Sequence, residues 1–138
     1  MEVMKQLCAY VESEEWNQGT ICVWGYDGRR IMEFKETVKA LCQEKKWDMV
    51  FCWVNEWTDQ LMEALHREEL ASFTAEMVEK DILIMDGADY LSGKSATMKE
   101  LRWMLEKRAV KNKMTIVFGD REPEGWTVSG EKENICGK

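Results

Sequence analysis

Residues Asp81 to Lys94 read DILIMDGADYLSGK. Four apolar residues, Ile82 to Met85, run without a polar break and stop at Asp86. A short apolar run bounded by charge is the pattern of a strand buried on both faces, the kind that builds parallel sheets in α/β proteins. An acid at the carboxyl end of such a strand stands where open α/β sheets place their ligands. The same run also fits a plain core strand that happens to stop at an aspartate, so the flanking chain has to decide between the two.

After this block, Met98, Leu101, Met104, Leu105 and Ala109 mark one face of a helix, and MTIVF, Met114 to Phe118, reads as a strand. Before it, Val3, Leu7, Tyr10 and Val11 define a first amphipathic helix that ends ahead of Asn17-Gln18-Gly19. TICVW, Thr20 to Trp24, is a strand that runs into Gly25-Tyr26-Asp27-Gly28, a loop with two glycines free to take positive φ. Ile31, Phe34, Val38, Leu41 and Cys42 mark a second helix, and Met49 to Val54 another apolar strand. Trp57, Leu61 and Leu65 place one helix before His66-Arg67, and Leu70, Phe73 and Met77 place the next after it. Strands alternating with helices imply right-handed crossovers and a parallel sheet. No internal repeat or low-complexity tract interrupts the pattern.

With 138 residues, the chain reads as one domain, and 45% apolar content with seven Trp and ten Met implies a packed core. The net charge of −7 argues against general affinity for nucleic acid or an anionic membrane. Five cysteines form no C-x-x-C pair. Cys22 and Cys52 lie in strand-like runs and Cys42 on a helix face, so buried free thiols are expected in place of disulfides or zinc. The acidic start MEVMKQLCAYVESEEW lacks the order of a signal peptide, and no stretch is long enough to span a membrane. A cytoplasmic location is the expectation.

Four stretches resemble the ATPase-domain family of the bacterial replication initiator DnaA, within the AAA+ proteins. VWGYDG, Val23 to Gly28, is similar to the strand that enters the family's phosphate loop. EWTDQLMEAL, Glu56 to Leu65, is similar to the helix after its second strand. ILIMDGADYLSGK is similar to its Walker B block, with Asp86, Leu91, Gly93 and Lys94 in matching places. IVFGDREP, Ile116 to Pro123, is similar to its sensor 1 strand and exit. The resemblance covers roughly Thr20 to Pro123 and implies a P-loop NTPase-like, three-layer α/β/α fold with a mainly parallel sheet. It also implies the strand neighbours first, fourth, third, second. Residues 1–19 are read as an added N-terminal helix, 20–123 as the α/β core and 124–138 as a tail. The chain is expected to be a truncated version, ending before the arginine finger, sensor 2, helical lid and DNA-binding domain.

The departures fall where the family does its chemistry. A Walker A loop, G-x-x-x-x-G-K-[ST], wraps phosphates with backbone N–H groups, reaches them with Lys and holds Mg²⁺ with a hydroxyl. Here Arg30 stands at the second glycine, Ile31 at the lysine and Met32 at the hydroxyl, and Asp27 adds negative charge. Gly87 stands where the family has its second Walker B acid, the group implied to polarise the attacking water. Asp89, two residues on, is the local acid that can partly stand in for it.

The expectation is therefore a non-catalytic DnaA-like core acting as a protein-interaction or regulatory module linked to replication, with no cofactor. The partner implied is a replication initiator or a second copy. The alternative is an ATP- or ADP-binding protein or slow NTPase. It would use Gly25, Gly28, Arg29, Arg30 and Asp120 around the nucleotide and Asp86 for Mg²⁺.

Strong nucleic-acid binding is not expected. Glu56 to Met77 corresponds to the family's DNA-contacting helix pair but carries Glu56, Asp59, Glu63, Glu68, Glu69 and Glu76 against Arg67 alone. Trp24, Trp53 and Trp57 are assigned to the core and His66 to a surface turn. The basic stretch Lys99, Arg102, Lys107, Arg108, Lys111 and Lys113 is a solvated helix face or a docking surface for an acidic partner.

One strand edge stays open in this reading. The family's fifth strand lies beside the first, and the short segment Trp126-Thr127-Val128 cannot return in parallel from a neighbouring strand. Thr20 to Trp24 is then an exposed apolar edge, and pairing with a partner or a second copy in a homodimer is favoured over capping by the tail.

Overall fold

The computed structural model describes residues 2–126 and the backbone of 133–136. Five helices and five strands alternate along it: α1 (Val3–Ser13), β1 (Thr20–Trp24), α2 (Gly28–Lys45), β2 (Met49–Trp53), α3 (Val54–His66), α4 (Leu70–Glu79), β3 (Ile82–Asp86), α5 (Ser95–Val110), β4 (Met114–Gly119) and β5 (Glu133–Cys136). A single 3₁₀ turn, Ala88–Leu91, links β3 toward α5.

All strands are parallel, in the order β2-β3-β4-β1-β5. The run from first to fourth to third to second neighbour is the one the family resemblance implied. The central strands β1, β3 and β4 are buried along their whole length. This is why their sequences are continuous apolar runs and do not alternate with polar residues.

Alternation shows instead in which helices each residue meets. Ile82 and Ile84 pack with Ile116, Phe118 and Ile21 under α1 and α2. Leu83 and Met85 pack with Val117 and Cys22 under α3, α4 and α5. The helices present matching stripes: Met4, Leu7 and Val11 from α1, Ile31, Phe34, Val38 and Cys42 from α2, and Leu101, Met104 and Leu105 from α5. Each fully buried Leu or Ile contributes about 1.5–3 kcal/mol by leaving water, so a change such as Leu101→Ala costs about 2–5 kcal/mol once its cavity is included.

Several expectations are corrected. β1 is not an open edge, because β5 pairs with it in parallel from Ile21↔Glu133 to Trp24↔Cys136. The reading that favoured a second copy at this edge placed the return strand too early in the chain. Thirteen residues, 120–132, separate β4 from β5, enough for a parallel crossover. Trp126 is no part of that strand; it is buried, its ring edge-on to Trp24 at 5.8 Å, after a turn in which its N–H donates to Pro123 O. Thr127 and Val128 lie outside the described residues.

Trp53 is 42% exposed, and Cys52 is only half-buried, because β2 is the sheet edge and not an inner strand. Cys8 is half-buried too, whereas Cys22 and Cys42 are buried as expected. Leu65 is exposed, and Ala64 takes its place on the inner stripe of α3.

Arg108 departs furthest from its assignment to a basic surface. It is fully buried, donating to the carbonyls of Met77, Val78, Lys80 and Met114 and to Thr115 Oγ1. Its guanidinium thereby closes the carboxyl end of α4, whose last carbonyls have no partner within the helix. Of the remaining basic stretch, Lys111 pairs with Glu79 and Lys113 with Asp81 at 3.5 Å.

Candidate functional site at the carboxyl end of the sheet

The strands β1, β3 and β4 deliver Gly25, Asp86 and Asp120 to one end of the sheet. Gly25 has φ +89°, and its N–H donates to Gly119 O at 2.9 Å, tying the exit of β1 to that of β4. Only Gly25, Tyr26 and Asp27 separate β1 from α2, since Gly28, Arg29 and Arg30 are already helical. Asp27 is extended and caps the helix: its Oδ1 accepts the Arg30 N–H at 2.9 Å, while its carbonyl accepts the Ile31 N–H at 3.2 Å. Among the first amides of α2, the donors that a phosphate loop turns toward an anion, that of Arg30 is taken by the Asp27 carboxylate, while the Ile31 N–H makes the ordinary first intrahelical bond.

Side chains of this segment leave the site as well. Arg30 forms an ion pair with Glu2 and sits 5.6 Å over the Tyr26 ring, which holds it toward α1. Arg29 is largely exposed, 3.9 Å from Glu33 one turn along. Ile31 is 4% exposed and packs with Phe34 and Val38 beneath α1. Met32, at the expected hydroxyl position, is 46% exposed. Gly28 is the first residue of α2 and has open space where a Cβ would stand.

On the β3 side the groups are acidic. Asp86 is 8% exposed, and its Oδ1 accepts the N–H of Gly87 at 2.7 Å. Burial pushes its carboxyl above the usual aspartate range; the Gly87 N–H opposes this, and the charges of Asp89 and Asp120 add to it. Gly87 has φ +84° and starts the 3₁₀ turn by accepting the Tyr90 N–H, and a Cβ there would lie 3.8 Å from the Trp53 ring. The position that lacks the second acid is thus also one where a side chain meets backbone strain.

Asp89 Oδ1 accepts the backbone N–H of Asp120 at 3.1 Å, so it braces the exit of β4. A Cβ on Gly119 would lie 3.0 Å from the Trp24 ring and 3.2 Å from that same Asp89 oxygen, so a larger residue would have to push both side chains aside. Sequence reasoning missed Gly119 and the bracing by Asp89; the glycine directly before the matching Asp120 was the one available signal.

Asp86, Asp89 and Asp120 therefore share a neighbourhood, while Arg30, expected beside them, is paired with Glu2 and Arg29 is largely exposed. Among the described residues no group of three or more His, Cys, Asp or Glu side chains is placed to hold a metal ion. His66, the last residue of α3, is exposed. The one arginine of the α3–α4 pair, Arg67, is bound to Glu63 at 2.7 Å.

The fold recurs in solved structures. A crystal structure of a DNA replication initiation factor superposes with a TM-score of 0.80 at 17% identity, over 96% of this chain and 43% of that one. The replication initiator DnaA bound to AMPPCP and single-stranded DNA gives 0.80 at 16% identity, over 95% and 44%. The DnaC helicase loader gives 0.75 at 13% identity, over 100% and 92%. The chain thus spans less than half the length of the two initiators. No curated protein matches it in sequence. No helix among the described residues is long and apolar enough to cross a membrane. The family model of the bacterial DnaA ATPase domain matches residues 31–132, most of the chain, and with the parallel AAA+ sheet around Asp86 it places this protein in the bacterial DnaA ATPase-domain family.

Proposed function

We propose that the chain is a non-catalytic AAA+ core that serves replication initiation as a protein-interaction or regulatory module. The observation that carries this reading is the closure of α2 by Asp27, which accepts an amide that a triphosphate would need. Ile31 in the core and Arg30 on Glu2 point the same way, because the position of the phosphate-binding lysine is apolar and buried and its neighbouring cation is paired with Glu2. The remaining groups, Asp86, Asp89 and Asp120, repel a triphosphate. These residues do not fit a Mg²⁺–nucleotide, and no hydrolytic step is assigned to them.

The test is thermal unfolding with millimolar ATP and Mg²⁺, with AMP as control. A ligand at 100 times its Kd adds about 2.7 kcal/mol, a rise of several degrees for a domain of this size. No rise is expected. A rise with ATP that AMP does not produce overturns the reading in favour of a nucleotide-binding protein or slow NTPase built on Gly25, Gly28, Arg29, Arg30 and Asp120, with Asp86 on Mg²⁺.

A further inference from the structure

The open edge of the sheet is β2, which pairs with β3 and with no other strand among the described residues. Ile82 N–H donates to Asp48 O, which fixes the alternation of this parallel ladder. Asp48, Val50 and Cys52 bond inward to β3, so the N–H and C=O groups of Met49 and Phe51 face outward. The strand, Met-Val-Phe-Cys-Trp, holds no proline, lysine or acid, the devices by which natural edges discourage pairing.

A groove of about 360 Å³ runs along this edge on the α2 side, lined by Lys35, Lys39, Gln43, Trp47, Met49 and Phe51. Its only charged side chains are the two lysines, one helical turn apart, in a protein of net charge −7. Neither has a carboxylate partner among the described residues, and Lys35 lies 4.4 Å over the Phe51 ring. On the opposite face of the strand, Val50 and Cys52 pack against the core under α3, α4 and α5, as do the half-buried Leu70 and Phe73.

We propose that β2 is a docking edge for an extended segment of a partner protein, added as a sixth strand. That segment carries acidic residues on the α2 side and apolar ones on the α3–α4 side. The outward amides supply the affinity of strand addition, and the alternation of side chains supplies its selectivity. A second copy fits poorly. In a two-fold β2–β2 pair each Lys35 faces its equivalent, and β2 has no acid to offer it. A single strand of nucleic acid could stack on Trp47 and Phe51, but two lysines neutralise only about two phosphates, too few for tight binding. The proposal rests on the protein-interaction reading, but nucleotide binding, which judges the non-catalytic part of that reading, is measured separately by thermal shift.

The experiment uses the full chain and three probes: a blocked peptide of alternating glutamate and valine, its lysine–valine counterpart, and an oligothymidine of matched length. Amide exchange and chemical shifts are read residue by residue. The glutamate peptide is expected to bind, protecting Met49 and Phe51 while Val50 and Cys52, already bonded to β3, change little. Affinity should fall with salt. Lys35→Glu with Lys39→Glu should weaken it at least tenfold and transfer preference to the lysine peptide. Met49→Pro, at the first position of the strand where proline is tolerated, should weaken binding without changing the fold. No binding of the glutamate peptide at millimolar concentration overturns the proposal. So does equal binding of both peptides, oligothymidine binding on this edge in their place, or concentration-dependent protection of Met49 and Phe51 in the protein alone.

Discussion

Asp27 Oδ1 and the Arg30 N–H, 2.9 Å apart, close the amino terminus of α2 with the protein's own carboxylate. The bond is an ordinary helix cap, and its position makes it informative. Asp27→Ala is expected to lower stability by about 1 kcal/mol, and Asp27→Gly by only a few tenths, because glycine lets water reach the freed amide. Urea midpoints at constant slope check both. Neither change should confer a thermal shift with ATP, since Ile31 still fills the lysine position.

Asp86 supplies a pH test. Its folded-state pKa is raised by burial first and by neighbouring acids second. Between the unfolded value, near 3.9, and that raised value, the native state binds more protons than the unfolded one. Stability therefore falls as pH rises through this window, and the ionised form remains a cost above it. Asp86→Asn, which keeps the acceptor for the Gly87 N–H, should leave the protein at least as stable at pH 7 and remove this part of the pH profile. A clear loss of stability at pH 7 would contradict the account. Added Mg²⁺ should not lower the titration midpoint of Asp86 followed by carboxyl NMR.

Arg108 should be among the most sensitive positions in the chain. Arg108→Leu removes the donor from the buried carbonyls of Met77 and Val78 and from the partly buried carbonyl of Lys80 at the end of α4, and each buried group left unsatisfied costs about 1–3 kcal/mol. A combined loss of about 3 kcal/mol or more is expected. Arg108→Lys should rescue little, because one ammonium cannot reproduce a fork that reaches both α4 and β4. Burial lowers the pKa of Arg108 only to about 10, so it stays a cation near neutral pH. Denaturation of the two variants side by side decides the point.

β1 is protected by two neighbours, β4 and β5. Exchange of the Thr20 to Trp24 amides should be slow and independent of protein concentration. Deleting residues 127–138 removes β5 and uncovers a fully apolar edge, so the shortened chain should self-associate in sedimentation. A monodisperse shortened chain would show that the edge is covered by something else.

Single-stranded DNA should bind weakly at physiological salt, as judged by anisotropy of a labelled oligonucleotide. From Val54 to Glu79 the α3–α4 pair carries seven acids, and its one arginine is already held by Glu63. Sub-micromolar, salt-sensitive binding would overturn this expectation.

The sequence alone determined four of the five strands, because continuous apolar runs such as Ile82 to Met85 have few other places to go than the middle of a covered sheet, and the resemblance carried by the Asp81 to Lys94 block and its flanks implied their order and the family. It also showed Ile31, Met32 and Gly87 at the positions where a nucleotide-binding relative carries chemistry. Direction and partnership of side chains were decided by tertiary structure. The sequence placed Arg108 among surface lysines, since helical spacing marks a face but not a cation that must cap the end of a neighbouring helix. Arg30 could have faced a phosphate, and Glu2, 28 residues earlier in the chain, draws it away. The open edge moved from β1 to β2 because a late segment returned beside β1, and a strand of four residues whose pairing depends on a distant partner leaves almost no periodic signal of its own.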